Sequence, residues 1–260
     1  VGAAPISVTT LNIILPVGIS FYTFKELSYV IDVYRRKISA AGNFIEFLAF
    51  VSFFPQLIAG PIDRAQSFLV QFAQERVFRI KEAVDGCRQM LWGFFKKIFI
   101  ADTLAVAVNN TYSNLYDVSG DQLLIATILF SFQLYCDFSG YSDIAIGTAK
   151  LFGFRLMSNF NYPYFSRSIT EFWRRWHISL SEWLRDYLYY PLIFSRRNKT
   201  KIWLYLSTFI TFALIGLWHG AGWNYIVMGM IFGFFLVLDS MIKNVIRNFK
   251  IYKRNFIDRD

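Results

Sequence analysis

The residue types that most often carry chemistry are scarce in this 260-residue sequence, which has two histidines and two cysteines. His177, His219, Cys87 and Cys136 stand in no metal-ligand spacing, so no metal site is expected, and nothing pairs the two cysteines as a disulfide. There is no Gly-x-Ser-x-Gly elbow, P-loop or dinucleotide fingerprint, which weighs against hydrolase, ATPase and dehydrogenase chemistry. That absence leaves open a reaction in which a base activates the hydroxyl of another molecule. Charge is scarce too. Charged residues make up 17% of the chain, against roughly one quarter in a soluble domain.

What the chain has instead is apolar surface: 55% hydrophobic residues, 20% aromatic, and a mean hydropathy of +0.37. Residues 202–238 contain no Asp, Glu, Lys or Arg. A soluble helix must show one face to water and cannot stay uncharged for so long. A bilayer core takes roughly 20 apolar residues per helix, so this run reads as two short spans. Other charge-free stretches are 1–24, 47–62 and 122–136, the last two short enough to be tilted or re-entrant. Four to six membrane-embedded segments are expected.

The excess of 27 Lys+Arg over 18 Asp+Glu gives a net charge of +9. Basic chains can bind nucleic acid, but here the basic residues flank apolar runs, in 155–201 and from Lys243 onward. That is the positive-inside pattern. Both flanks are expected on the cytoplasmic side, membrane lipid is the expected partner, and no nucleic acid is expected.

Along the chain, Pro16 and Gly18 should break any helix in 1–24. Residues 25–37 look interfacial, with Tyr29 and Tyr34 beside Arg35, Arg36 and Lys37. The 47–62 stretch closes on Pro55 and Gly60-Pro61. Residues 64–97 read as helix on the cytoplasmic side or surface. The span at 122–136 runs on into Asp137 and Asp143, then Ala145, Gly147 and Ala149, small residues that let membrane helices approach closely. In 171–191, helical spacing puts Trp173, His177, Leu180, Leu184 and Leu188 on one face and Arg174, Ser181 and Arg185 on another. That suggests one amphipathic helix lying at the headgroup boundary. With no repeat and no linker, residues 1–260 form one domain. The lack of a starting Met and of a basic leader suggests a domain incomplete at both ends.

Both histidines follow a tryptophan, Trp176-His177 and Trp218-His219. His219 stands mid-way along the uncharged run among Gly216, Gly220 and Gly222, so the two spans should break there. An ionisable group at membrane depth is a functional candidate by default, weighed evenly against a hydrogen-bonded turn histidine. Taken alone, His177 looks more like interfacial structure. Asp137 and Asp143 either line a polar tunnel or cap a turn at Gly140. Their spacing of six puts them on different faces of a helix, so a paired-carboxylate mechanism is not expected.

Six motifs stand in order: 15–21 (Leu-Pro-Val-Gly-Ile-Ser-Phe), 54–61 (Phe-Pro-Gln-Leu-Ile-Ala-Gly-Pro), 137–143 (Asp-Phe-Ser-Gly-Tyr-Ser-Asp), 159–164 (Asn-Phe-Asn-Tyr-Pro-Tyr), 171–187 with Arg174-Arg175-Trp176-His177-Ile178-Ser179, and 216–220 (Gly-Leu-Trp-His-Gly). Together they resemble the membrane-bound O-acyltransferase family, in particular its alginate O-acetyltransferase-like branch. The resemblance implies an all-α, polytopic membrane bundle with re-entrant and interfacial helices, in a bacterial cytoplasmic (inner) membrane. It implies an enzyme that moves an acyl group, here acetyl, from a cytoplasmic thioester towards an extracytoplasmic polysaccharide hydroxyl or a periplasmic acetyltransferase partner. The donor would be acyl-CoA or another thioester, with no permanently bound cofactor. The family's catalytic histidine maps onto His219 and its second histidine onto His177. Burial should keep His219 neutral and able to accept a proton. Trp218, Trp176, Asp137, Asp143, Arg174 and Arg175 are the candidate substrate-binding residues. The alternatives are a transporter or channel-like membrane protein, and the D-alanyl transfer branch of the same family.

Overall fold

The computed structural model describes residues 18–197 and 200–257, with side chains as far as residue 248. Pro16, most of the 1–24 stretch and Lys199 lie outside the described residues. The described residues hold helices and no strand. In chain order the helices are α1 (Ile19–Tyr34), α2 (Phe44–Val51), α3 (Ala65–Phe72), α4 (Ile80–Phe94), α5 (Asp102–Ser113), α6 (Gly120–Leu151), α7 (Ile169–Arg175), α8 (Ile178–Leu184), α9 (Tyr190–Phe194), α10 (Lys201–His219) and α11 (Trp223–Ile257). A π-helical segment, Phe95–Ala101, joins α4 to α5, and a second, Arg185–Tyr189, joins α8 to α9.

Local sequence accounts for most of the helix starts. The side chains of Asn43, Ser168 and Thr200 accept backbone N–H bonds at the heads of α2, α7 and α10. Ser119 and Gln122 close a capping box on α6. Before α1, Gly18 adopts φ +82°, and a Cβ there would sit 2.2 Å from the Leu57 carbonyl oxygen, so only glycine fits.

Three helices are long and apolar enough to cross a membrane: α6, α10 and α11 as far as Asn248. The uncharged run 202–238 does divide into two spans, parted at residues 220–222. The 122–136 span extends without interruption through Asp137, Gly140 and Asp143, so there is no turn at Gly140. The 47–62 stretch forms only α2 and the 3₁₀ turn Phe54–Gln56, too short to cross.

The longest helix pairs are held by glycine. α4 and α6 run antiparallel, with Gly86 against Gly147 and Gly93 against Gly140. A Cβ on Gly147 would lie 2.5 Å from the Gly86 oxygen, and one on Gly93 2.6 Å from the Gly140 oxygen. α10 and α11 pack in the same way, where a Cβ on Gly216 would lie 2.2 Å from the Tyr225 oxygen and one on Gly229 2.2 Å from the Phe212 oxygen. In an apolar solvent such close backbone contact supplies the packing that hydrophobic burial cannot.

Two apolar clusters tie the shorter helices to these pairs. One joins Phe24 and Ile62 to Leu180, Trp183, Leu184, Tyr187 and Ile215. The other joins Phe50, Phe53, Ala65 and Phe68 to Ala149 and Phe154. The 25–37 stretch is not uniformly interfacial. Lys25 is 2% exposed, donates to the Phe50 carbonyl at 3.4 Å and lies over the Phe50 and Phe68 rings. Asp32 is equally buried and accepts from the Tyr187 hydroxyl at 2.5 Å. Its exposed positions are the apolar Leu27 and Val30 and the end from Tyr34 to Lys37.

Gly147→Leu in the full-length protein should therefore separate α4 from α6. Overpacking typically costs about 1–3 kcal/mol, so a thermal midpoint in detergent should fall by several degrees. Gly120→Ala, where an added Cβ meets nothing within 4 Å, should leave the midpoint unchanged. Equal midpoints for Gly147→Leu and wild type would contradict the packing role.

Candidate active site

Residues 171–191 are not one helix. α7 ends at Arg175, Trp176 is extended at φ −104°, and His177 adopts a left-handed conformation at φ 43° before α8 begins. The break arises because residues 159–161 capture the backbone groups that a continuous helix would use. Asn161 N–H donates to the Arg175 carbonyl at 2.9 Å, and Ile178 N–H donates to the Asn159 carbonyl at 2.9 Å. The Asn159 side chain, fully buried, accepts from the Ser179 hydroxyl at 2.6 Å and donates to Ser142 of α6 at 3.1 Å. Ser179 in turn accepts from the Ile62 N–H at 3.0 Å. Nor is α8 a surface helix, since Leu180, Trp183 and Leu184 lie in the first apolar cluster.

This anchoring fixes His177, which is 4% exposed and meets Phe138 of α6 edge to face at 4.6 Å. Neither ring nitrogen has a protein hydrogen-bond partner. An unpaired buried polar group costs about 1–3 kcal/mol. A left-handed non-glycine residue with two such nitrogens is therefore a strained feature of the kind found at functional sites. Burial, and in smaller part the nearby His219, push the imidazole pKa down to about 3. At neutral pH the ring is neutral, with one nitrogen a donor and the other an acceptor.

His219 closes α10 beside Gly220, its ring 4.8 Å from that of Trp218. It is exposed on this chain, and His177 is the buried member of the pair, the reverse of the sequence expectation. The uncharged run signalled depth in the membrane, whereas burial is decided by what packs around the α10–α11 break. Trp218 is half-buried against Phe24 at 5.4 Å and Phe21 at 6.2 Å. Trp176 stacks on Phe172 at 5.6 Å and meets Phe160 at 5.1 Å.

The remaining candidate residues are not gathered at the histidines. Asp143 pairs with Lys96 at 2.5 Å and accepts from Gln89 at 2.9 Å, while Asp137 pairs with Lys97 at 2.8 Å. The two carboxylates thus engage α4 and its π segment separately. Arg175 is held by Glu171 at 2.6 Å. Arg174 is exposed and lines a groove of about 680 Å³ with Arg185, Ser181, Thr211 and Phe212. Ile178, the residue after His177, forms part of the same wall, as does Trp173, whose buried indole N–H has no partner. Asn159, Ser142, Ser179 and Lys96 had no assigned role in the sequence reading, although the first three lie in its motifs. No His, Cys, Asp and Glu cluster able to hold a metal occurs among the described residues.

The chain matches the membrane-bound O-acyltransferase (MBOAT) family over residues 35–257. It belongs to this family. It is 49% identical over 231 residues to the Pseudomonas aeruginosa protein named "Probable alginate O-acetylase AlgI", covering 89% of this chain and 44% of that protein. It is 35% identical to the peptidoglycan O-acetyltransferase of Helicobacter pylori, covering 92% and 50% respectively. It is 31% identical to the teichoic acid D-alanyltransferase of Bacillus subtilis, covering 84% and 57%. The chain spans about half the length of the curated relatives it matches.

The depressed His177 pKa has a definite consequence. Between pH 3 and 6.5 the unfolded chain binds a proton at this position and the folded chain does not, so stability falls as pH drops through 6.5. Asp63 acts in the opposite sense, because burial raises its pKa to about 7 and acid favours the fold there. A comparison with His177→Asn isolates the histidine. Thermal midpoints measured from pH 7 to 5 should fall more steeply for wild type than for His177→Asn, and parallel slopes would contradict the buried neutral imidazole.

Proposed function

We propose that the full-length protein is an O-acyltransferase in which His219 is the general base. The hydroxyl oxygen of the acceptor attacks the thioester carbonyl carbon of the donor while His219 takes its proton. The carbon–sulfur bond then breaks, and the leaving thiolate recovers the proton from His219. A positioned base contributes about 10²–10⁴-fold to such a step. The observation that carries this reading is the placement of His177. It is buried with both ring nitrogens unpaired, and burial together with His219 keeps its imidazole neutral. His177 would orient a reacting group through one donor and one acceptor.

The groove beside α8 suits the donor. Its Phe212, Ile215 and Leu184 walls are apolar, and Arg174 and Arg185 add positive charge for the phosphates of an acyl-CoA or a related thioester. The transferred group is acetyl rather than D-alanyl, supported by 49% identity to the AlgI protein against 31% to the D-alanyltransferase. The acceptor is a polysaccharide hydroxyl, supported by the names of the acetylating relatives, and its place outside the cytoplasm rests on the family resemblance. The bacterial inner-membrane location and a periplasmic acetyltransferase partner rest on the family resemblance.

His219→Ala in the full-length protein should lower acyl transfer about 10²–10⁴-fold at near-normal abundance. His177→Ala should lower it less and reduce stability as well. Acetyl release from a labelled thioester and protein level must be measured on the same membranes. Wild-type turnover by His219→Ala at equal abundance would remove the catalytic assignment and favour a transporter.

A further inference from the structure

Residues 80–113 form one helical stretch from α4 through the π segment to α5. Its charge keeps it out of the set of helices apolar enough to cross a membrane. Its packing says otherwise. The stretch lies antiparallel beside α6 along most of that span. At one end Asp85 meets Lys150 at 2.5 Å, and at the other the Tyr112 and Thr127 hydroxyls meet at 3.1 Å. Between these ends lie the two glycine contacts, 86 with 147 and 93 with 140. A helix in contact with a spanning helix over that length has no other course to follow.

Residues 89–113 contain only three charged side chains, Lys96, Lys97 and Asp102. At the helical rise they extend about 37 Å, more than the ~30 Å of hydrocarbon. Each of the three charges is paired: Lys96 with Asp143, and Lys97 with both Asp137 and Asp102. Lys96 is buried, while the Lys97 cluster with Asp102 and Asp137 is partly exposed. Pairing is the form in which ionisable groups persist at membrane depth. The π segment has wider turns than an α-helix and so shifts the phase of the stretch. Lys96, Ala101 and Val108 stay on the buried side with Gly86 and Gly93.

The opposite side is apolar and bare. Trp92, Phe95 and Phe99 form a stacked ladder, with centroids 5.5 and 5.2 Å apart. Trp92 is 56% exposed and Phe99 66%, and Leu91, Ile98 and Val106 extend the same apolar surface. We propose that residues 80–113 cross the membrane antiparallel to α6, with the Trp92–Phe95–Phe99 ladder against lipid acyl chains. The two ends of the stretch then face opposite sides of the membrane, with residue 80 on the side where α6 ends and the 114–119 connection on the other.

The test uses the full-length protein with its native cysteines replaced by serine. Lys81→Cys and Tyr116→Cys, both at exposed positions (Tyr116 fully so), are labelled with a membrane-impermeant maleimide in right-side-out and inverted vesicles. Labelling from opposite sides is expected, and labelling of both from one side overturns the crossing. For the ladder, tryptophan fluorescence is compared between wild type and Trp92→Phe in bilayers of acyl-brominated lipid. The quenchable signal should drop in Trp92→Phe. An unchanged quenchable fraction would mean that protein, another part of the chain or a second copy, covers the ladder, and that overturns the lipid contact.

Discussion

The constraint on which the placement of His177 depends is backbone against backbone where α4 meets α6. With glycine at 86, 93, 140 and 147, the two helices touch without side chains between them, and this sets both the depth and the rotation of α6. Once α6 is set, its other face is fixed as well. Phe138 then meets the His177 ring, and Ser142 reaches Asn159, which holds the left-handed turn from below. His177 is thus positioned by a contact on the far side of a helix that carries neither histidine.

The polar groups in this apolar protein follow the same logic. Lys96 and Asp143 satisfy one another across the α4–α6 seam, and Asp32 is held by the Tyr187 hydroxyl. His177 departs from the pattern, because both its nitrogens are buried and unpaired. The hydrogen bonds that the ring lacks are made by the backbone around it, which Asn159, Asn161 and Ser179 anchor. A rigid frame around the imidazole leaves both its nitrogens without a protein partner. His219, exposed at the α10–α11 break, is placed differently, by an interruption between two spans held together through Gly216 and Gly229.

Much was legible in advance because it depends on composition and local pattern. The uncharged 202–238 run required two spans, and the glycines around His219 marked where they part. The spacing of Asp137 and Asp143 argued against a paired-carboxylate site, and each meets its own lysine of the π segment. The motif order marked the family, which the match over residues 35–257 shows. The three-to-four-residue apolar spacing in 171–191, by contrast, suggested a single helix. It could not register that residues 159–161 would take the hydrogen bonds on either side of His177.

The sequence alone determined the solvent. No arrangement of so apolar a chain could face water, and the absence of nucleophile and metal signatures left its two histidines as the natural candidates for chemistry. Tertiary structure decided which histidine is buried, which carboxylates are occupied, and how the charges at Lys96, Lys97 and Asp102 are paired. Those outcomes depend on partners far apart in the chain, Lys96 with Asp143 and Asn159 with Ser142 and Ser179. Periodicity reports the faces of one helix, whereas burial and pairing are properties of two.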